Sequence, residues 1–101
     1  MGRARIEIPK DAVAEFCRRH HILTLSLFGS VLTENFTAGS DVDVLVEFEP
    51  GQTPGLLQMA GLEMELSERI GRRVDLRTPS ELSRYFREEV LGSREVQYAQ
   101  A

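Results

Sequence analysis

The sequence has no tryptophan, a single cysteine and no apolar run near the ~20 residues needed to cross a bilayer. Each shortage excludes something. Cys17 alone cannot close an internal disulfide, so the fold does not depend on an oxidising compartment. Met1 to Lys10 lacks the apolar centre of a secretory signal. A soluble, cytoplasmic protein with no membrane role is expected. A basic excess is missing too: 12 Lys and Arg face 16 Asp and Glu, for a net charge of −4. That balance argues against direct, non-specific nucleic-acid binding, which draws on clustered cations. Aromatic residues are only 7% of the chain, so the core must be built mainly from aliphatic side chains.

What remains is ordinary globular material, 42% apolar and 28% charged over 101 residues. Such a length suits one small domain, here residues 1–101, with no linker dividing it. Ala12, Val13, Phe16 and Cys17 give an apolar stripe over Lys10–His20, which predicts a helix. Ile22–Phe28 reads as a strand, with Thr24 and Ser26 between apolar residues. Gly29-Ser30 interrupts it, Val31–Asn35 suits a short helical turn, and Phe36–Ser40 reads as loop. Asp41–Phe48 is a second strand. Leu56–Ile70 is the clearest helix, with Met59, Leu62, Leu66 and Ile70 on one stripe and Gly71 placed to end it. Arg73–Arg77 reads as a third strand. Thr78, Pro79 and Glu81 form a helix start signal, which predicts a last helix over Pro79–Leu91. Beyond Gly92 the pattern is too weak to assign. Alternation of this kind predicts an α/β (α+β) fold, a small sheet flanked by helices.

The chemistry concentrates between Phe28 and Asp75. On a strand, residues two apart share a face, so Asp41 and Asp43 converge while Val42 and Val44 point into the core. Paired carboxylates repel unless a cation joins them, and Mg²⁺ takes carboxylate oxygens while keeping positions open for phosphate. Gly29 lets backbone approach a ligand, and the amides of the turn it opens, with the Ser30 hydroxyl, suit an anion. Asp75, in Val74-Asp75-Leu76, alternates as a strand residue should. If the third strand lies beside the second, Asp75 shares the face of the pair, able to bind a metal or take a proton. Singly these features are commonplace. Asp-x-Asp occurs on solvated strands, Gly-Ser in plain turns, and Asp75 could simply pair with Arg73 or Arg77. Their conjunction, each at the end of or within an apolar strand, suggests one metal–triphosphate site. His20 and His21 read as helix capping or solvated surface, and Cys17 as core. Arg72, Arg73, Arg84, Arg87 and Arg94 read as solvated charges.

Over Phe28-Gly29-Ser30 and Ser40-Asp41-Val42-Asp43-Val44-Leu45-Val46, the chain resembles the minimal nucleotidyltransferases of the polymerase-β-like superfamily, related to MNT-type antitoxins. The resemblance extends through Gly71-Arg72-Arg73-Val74-Asp75-Leu76. It implies that the sheet is mixed, with helices packed on it. It also implies transfer of a nucleoside monophosphate, AMP first among them, from ATP or another triphosphate to an acceptor hydroxyl, releasing pyrophosphate. Asp41, Asp43 and Asp75 would be the catalytic acids and the Mg²⁺ ligands, while Gly29, Ser30 and Ser40 would hold the nucleotide. The implied partner is a HEPN-family toxin, adenylylated on a tyrosine, and self-association is compatible with the pattern. Family members commonly carry Ala-Arg-Gly soon after Gly-Ser, and this chain has Leu32-Thr33-Glu34 instead. That departure defines the alternative reading, an antitoxin that acts on its partner by contact alone.

Overall fold

A computed structural model describes residues 4–100. Met1–Arg3, part of the segment read as lacking a signal core, and Ala101 lie outside the described residues. Helix α1 (Lys10–Arg19) follows Pro9 and buries Val13, Phe16 and Cys17. β1 (Ile22–Phe28) runs into a 3-10 turn, Gly29–Leu32, and β2 (Val42–Phe48) follows the loop after it. The turn thus begins at the glycine itself rather than at Val31. α2 (Leu56–Ile70) ends at Gly71, whose φ of 80° closes the last turn in the left-handed region. β3 (Val74–Arg77) comes next.

The last third departs from expectation in two ways. Thr78 and Glu81 do form a reciprocal capping box, but it starts only the 3-10 turn Pro79–Glu81. The chain then extends through Leu82, which is buried, and restarts at Ser83, whose side chain caps α3 (Arg84–Ser93) by accepting from the Phe86 amide. One expected helix is therefore two segments, separated because Leu82 turns into the core. Second, the tail is not irregular: Glu95–Ala99 forms β4, paired antiparallel with β1.

The four strands lie in the order β3-β2-β1-β4, with β2–β3 parallel and the other pairs antiparallel. α2 makes the crossover between the parallel strands, as that connection requires. Side chains alternate between two faces. Leu25, Leu27, Val42, Val44, Val46, Val74 and Leu76 go to one face, where Val13, Phe16, Leu62 and Leu66 of α1 and α2 complete the main core. On the other face, Phe28 and Leu45 meet Leu82 and Val90 in a smaller cluster beneath α3. Because α3 covers only part of that second face, polar side chains of β2 and β3 stay reachable beside it. Among the described residues no helix is long and apolar enough to cross a membrane.

Candidate active site

The strand register assembles the acids. Asp43 lies opposite Asp75 across the parallel β2–β3 pair and opposite Phe28 across β1–β2. Phe28, Asp43 and Asp75 therefore form one row across three strands on the second face. Asp41 sits one residue before β2, exposed, with its carboxylate 4.0 Å from Arg73 Nε. Asp41 and Asp75 share the wall of one open cleft along β3.

Asp43 is the most confined of the three. Partial burial raises its carboxyl above the usual range, and the nearby charges of Asp75 and then Asp41 raise it further, with Arg77 opposing. Gly29 presses against it: φ at Gly29 is +76°, and a Cβ there would collide with the Asp43 carboxylate. Any other residue would be strained in its backbone and would displace the acid. Ser30 is half-buried beside this contact, and its hydroxyl makes no hydrogen bond to any described residue. The carbonyl of Ser30 accepts from the Thr33 amide and hydroxyl, both at 2.9 Å, which tightens the turn.

Of the two arginines weighed as partners of Asp75, Arg77 is the one that binds it. Nε donates to Oδ1 at 3.1 Å and a terminal nitrogen to Oδ2 at 3.4 Å. Ser40, the remaining expected nucleotide contact, holds its own loop: its hydroxyl accepts from the Thr37 amide at 3.0 Å. Several side chains expected on solvated surface are bonded instead. Arg72 donates to the carbonyls of Thr37 and Ser40 and lies over the Phe36 ring, pinning the loop that leads into Asp41. Arg87 donates to the carbonyls of Pro79 and Leu82, bracing the break before α3. Arg94 meets Glu47 at 2.8 Å and, with Thr24, holds that carboxyl below its ordinary range. His20 bonds Glu65 at 3.0 Å and packs edge-on to Phe16. Cys17 is buried in the core as expected, its thiol pushed up to about 12 by burial.

Sequence reasoning missed Glu63 and Ser67. They project from α2 and accept from the Leu76 and Val74 amides at 2.8 and 3.0 Å, along the open edge of β3. The i, i+4 spacing was visible, but which strand the helix would lie along was not.

A divalent cation fits this site in a particular way. Among the described residues no group of three or more His, Cys, Asp or Glu side chains is arranged to hold a metal ion. Yet Asp43 and Asp75 face each other across adjacent strands with the charge of Asp41 close by, Arg73 and Arg77 oppose them, and the missing side chain of Gly29 leaves the Asp43 carboxylate its place. Mg²⁺ is usually held by one or two carboxylates completed by substrate phosphates rather than by an all-protein cage. The donor set matches that pattern.

A family model for the nucleotidyltransferase domain matches residues 10–96. A protein adenylyltransferase of Methanocaldococcus jannaschii is 33% identical over 82 residues, 81% of this chain and 86% of that protein. The protein adenylyltransferase MntA of Thermococcus cleftensis is 38% identical over 84 residues, 83% of this chain and 81% of that protein. A solved structure of a minimal nucleotidyltransferase superposes with a TM-score of 0.68 at 38% identity, covering 86% of this chain and 85% of that one. A toxin–antitoxin complex with AMP-PNP gives a TM-score of 0.74 at 18% identity, over 92% and 75% of the two chains, and so bears on fold alone.

Proposed function

Because the chain belongs to the nucleotidyltransferase domain family, we propose that it transfers AMP from ATP, with Mg²⁺, to a hydroxyl of a partner protein. The observation that carries this reading is the row in which Asp43 faces Asp75 across adjacent strands while Gly29 lies against Asp43. Asp41 and Asp43 would hold Mg²⁺ together with the triphosphate. The turn at Gly29 and Ser30 would receive the terminal phosphates, with the Ser30 hydroxyl as a donor. When bound, the cation would supply charge neutralisation for the triphosphate and the departing pyrophosphate.

In the transfer, the acceptor oxygen bonds to the α-phosphorus as the bond to pyrophosphate breaks, and the acceptor proton passes to Asp75. Arg77 holds Asp75 in place through two hydrogen bonds. The acceptor is proposed to lie on a HEPN-family toxin. Protein adenylyltransferases among the relatives, and complexes of similarly folded chains with such toxins, support that assignment. We place this pairing in the cytoplasm.

The test is labelling of a co-purified partner from α-labelled ATP. Asp41→Asn and Asp43→Asn are expected to lower labelling by at least ~100-fold while leaving the protein folded. Equal labelling by wild type and both variants would sink the proposal. Neutralisation of the partner that persists in variants unable to label it would favour the contact-only alternative, which the Thr33-Glu34 sequence motivates.

A further inference from the structure

The side of α2 turned away from the core is unexpectedly apolar. A helix laid on a sheet ordinarily shows polar side chains to water. Here Leu56 and Leu57 are 87% and 90% exposed, and Met64 is 70% exposed. Leu57 and Met64 stand two turns apart, about 10 Å along the axis, and so share one side of the helix. Scattered single hydrophobes are ordinary on a surface. Three within two turns form a patch of the kind that marks a contact surface.

Gly61 lies within that patch. Glycine weakens a helix interior relative to alanine. Packing gives no reason for it here, since a Cβ at Gly61 would meet nothing within 4 Å. With the small, exposed Ala60, it leaves a low saddle between Leu57 and Met64. Close approach of another molecule is a use for such a position.

The patch is continuous with the candidate active site. Leu56 and Met64 each line an open cleft against β3, of about 550 and 750 Å³, and both clefts include Glu63 and Asp75. In-line displacement brings the acceptor from the side opposite the departing pyrophosphate. With the terminal phosphates at the Gly29 turn beside β1, that side is β3, where Asp75 stands. The mode of contact is constrained too. Ser67 and Glu63 occupy the Val74 and Leu76 amides, so a partner cannot dock there by adding a strand to β3. It must use side chains, as an amphipathic helix or a folded face does. Its charge follows from the larger cleft, where Asp41, Glu63, Glu68 and Asp75 outnumber Arg73. We propose that the outer face of α2, around Leu57, Gly61 and Met64, docks the protein that carries the acceptor hydroxyl, through an apolar surface flanked by lysine or arginine. The inference rests on the nucleotidyl-transfer reading for the role of Asp75 and adds to it where the partner is held.

Calorimetry of the full chain with a separately purified HEPN-family toxin tests it. Leu57→Gln combined with Met64→Gln is expected to weaken toxin binding by on the order of tenfold or more, and to leave Mg²⁺-ATP affinity within about twofold of wild type. Gly61→Leu improves the helix and fills the saddle, so it is expected to weaken toxin binding at a Tm no lower than wild type. Wild-type affinity for the toxin is expected to fall as ionic strength rises. Toxin affinity unchanged in the double variant, or ATP and toxin weakened alike, overturns the inference. So does a wild-type dimer that the double variant dissolves without change in toxin affinity, which would make a second copy the occupant. Toxin that wild type binds but does not label overturns the transfer reading instead, which keeps the two failures distinct.

Discussion

At the scale of single residues, the site is organised around a missing side chain. Gly29 supplies a left-handed backbone and an empty position against Asp43 at the same time. Gly29→Ala meets both obstacles, and we expect a stability loss of about 1–3 kcal/mol together with loss of transfer activity, read by thermal unfolding alongside the labelling assay. Asp43 makes the opposite kind of prediction. The fold raises its pKa, so the folded state favours the protonated form, and ionisation at neutral pH costs stability. Without divalent cation, Asp43→Asn is therefore expected to be more stable than wild type at pH 7. The gap should close as the pH falls through the carboxylate range, because wild type then takes up its proton. Unfolding curves at pH 7 and near pH 4 check the sign. That Asp43 and Asp75 share a face, with Gly29 at the end of the preceding strand, could be read from strand alternation. The Arg77 grip on Asp75 could not, because two arginines flank that acid and only side-chain geometry chooses between them.

At the scale of elements, β3 shows how an edge is managed. Its outward amides at Val74 and Leu76 are taken by Ser67 and Glu63 of α2, where a neighbouring strand would otherwise pair. Glu63→Ala is expected to cost about 1 kcal/mol and to promote self-association through that edge, which light scattering over a concentration series would detect. Elements with long periodic patterns were legible: Ile22–Phe28 and Leu56–Ile70 run as their apolar spacing predicts. β4 was not. Glu95–Ala99 is short and carries only Val96 and Tyr98 as large apolar residues, and its pairing with β1 contains a register shift that blurs alternation. The break at Leu82 was hidden for a different reason. The capping box before it is real, and nothing local says that the turn it starts will stop after three residues.

At the scale of the whole molecule, the sheet separates two tasks. One face carries the main core with α1 and α2, and the other carries the acids beside a small cluster under α3. Ligand binding on the second face should therefore add stability without rebuilding the first. At a hundredfold excess over Kd, Mg²⁺-ATP is expected to stabilise the fold by about 2.7 kcal/mol. For a domain of this size that raises Tm by on the order of 10 °C or more. Thermal scans with ATP alone, Mg²⁺ alone and both together would show the full shift only with both, if carboxylates and phosphates share the cation.

The seam between β1 and β4 joins segments from near opposite ends of the described chain. Closing so distant a pairing costs chain entropy before any contact repays it, so it belongs late on the folding route, after β1, β2 and the α2 crossover have assembled. Interactions made late hold the native state against unravelling more than they hasten its formation. Substitutions in β4 would thus leave the speed of folding nearly intact and shorten the lifetime of the folded protein, making the strand least visible in the sequence a clasp that governs persistence.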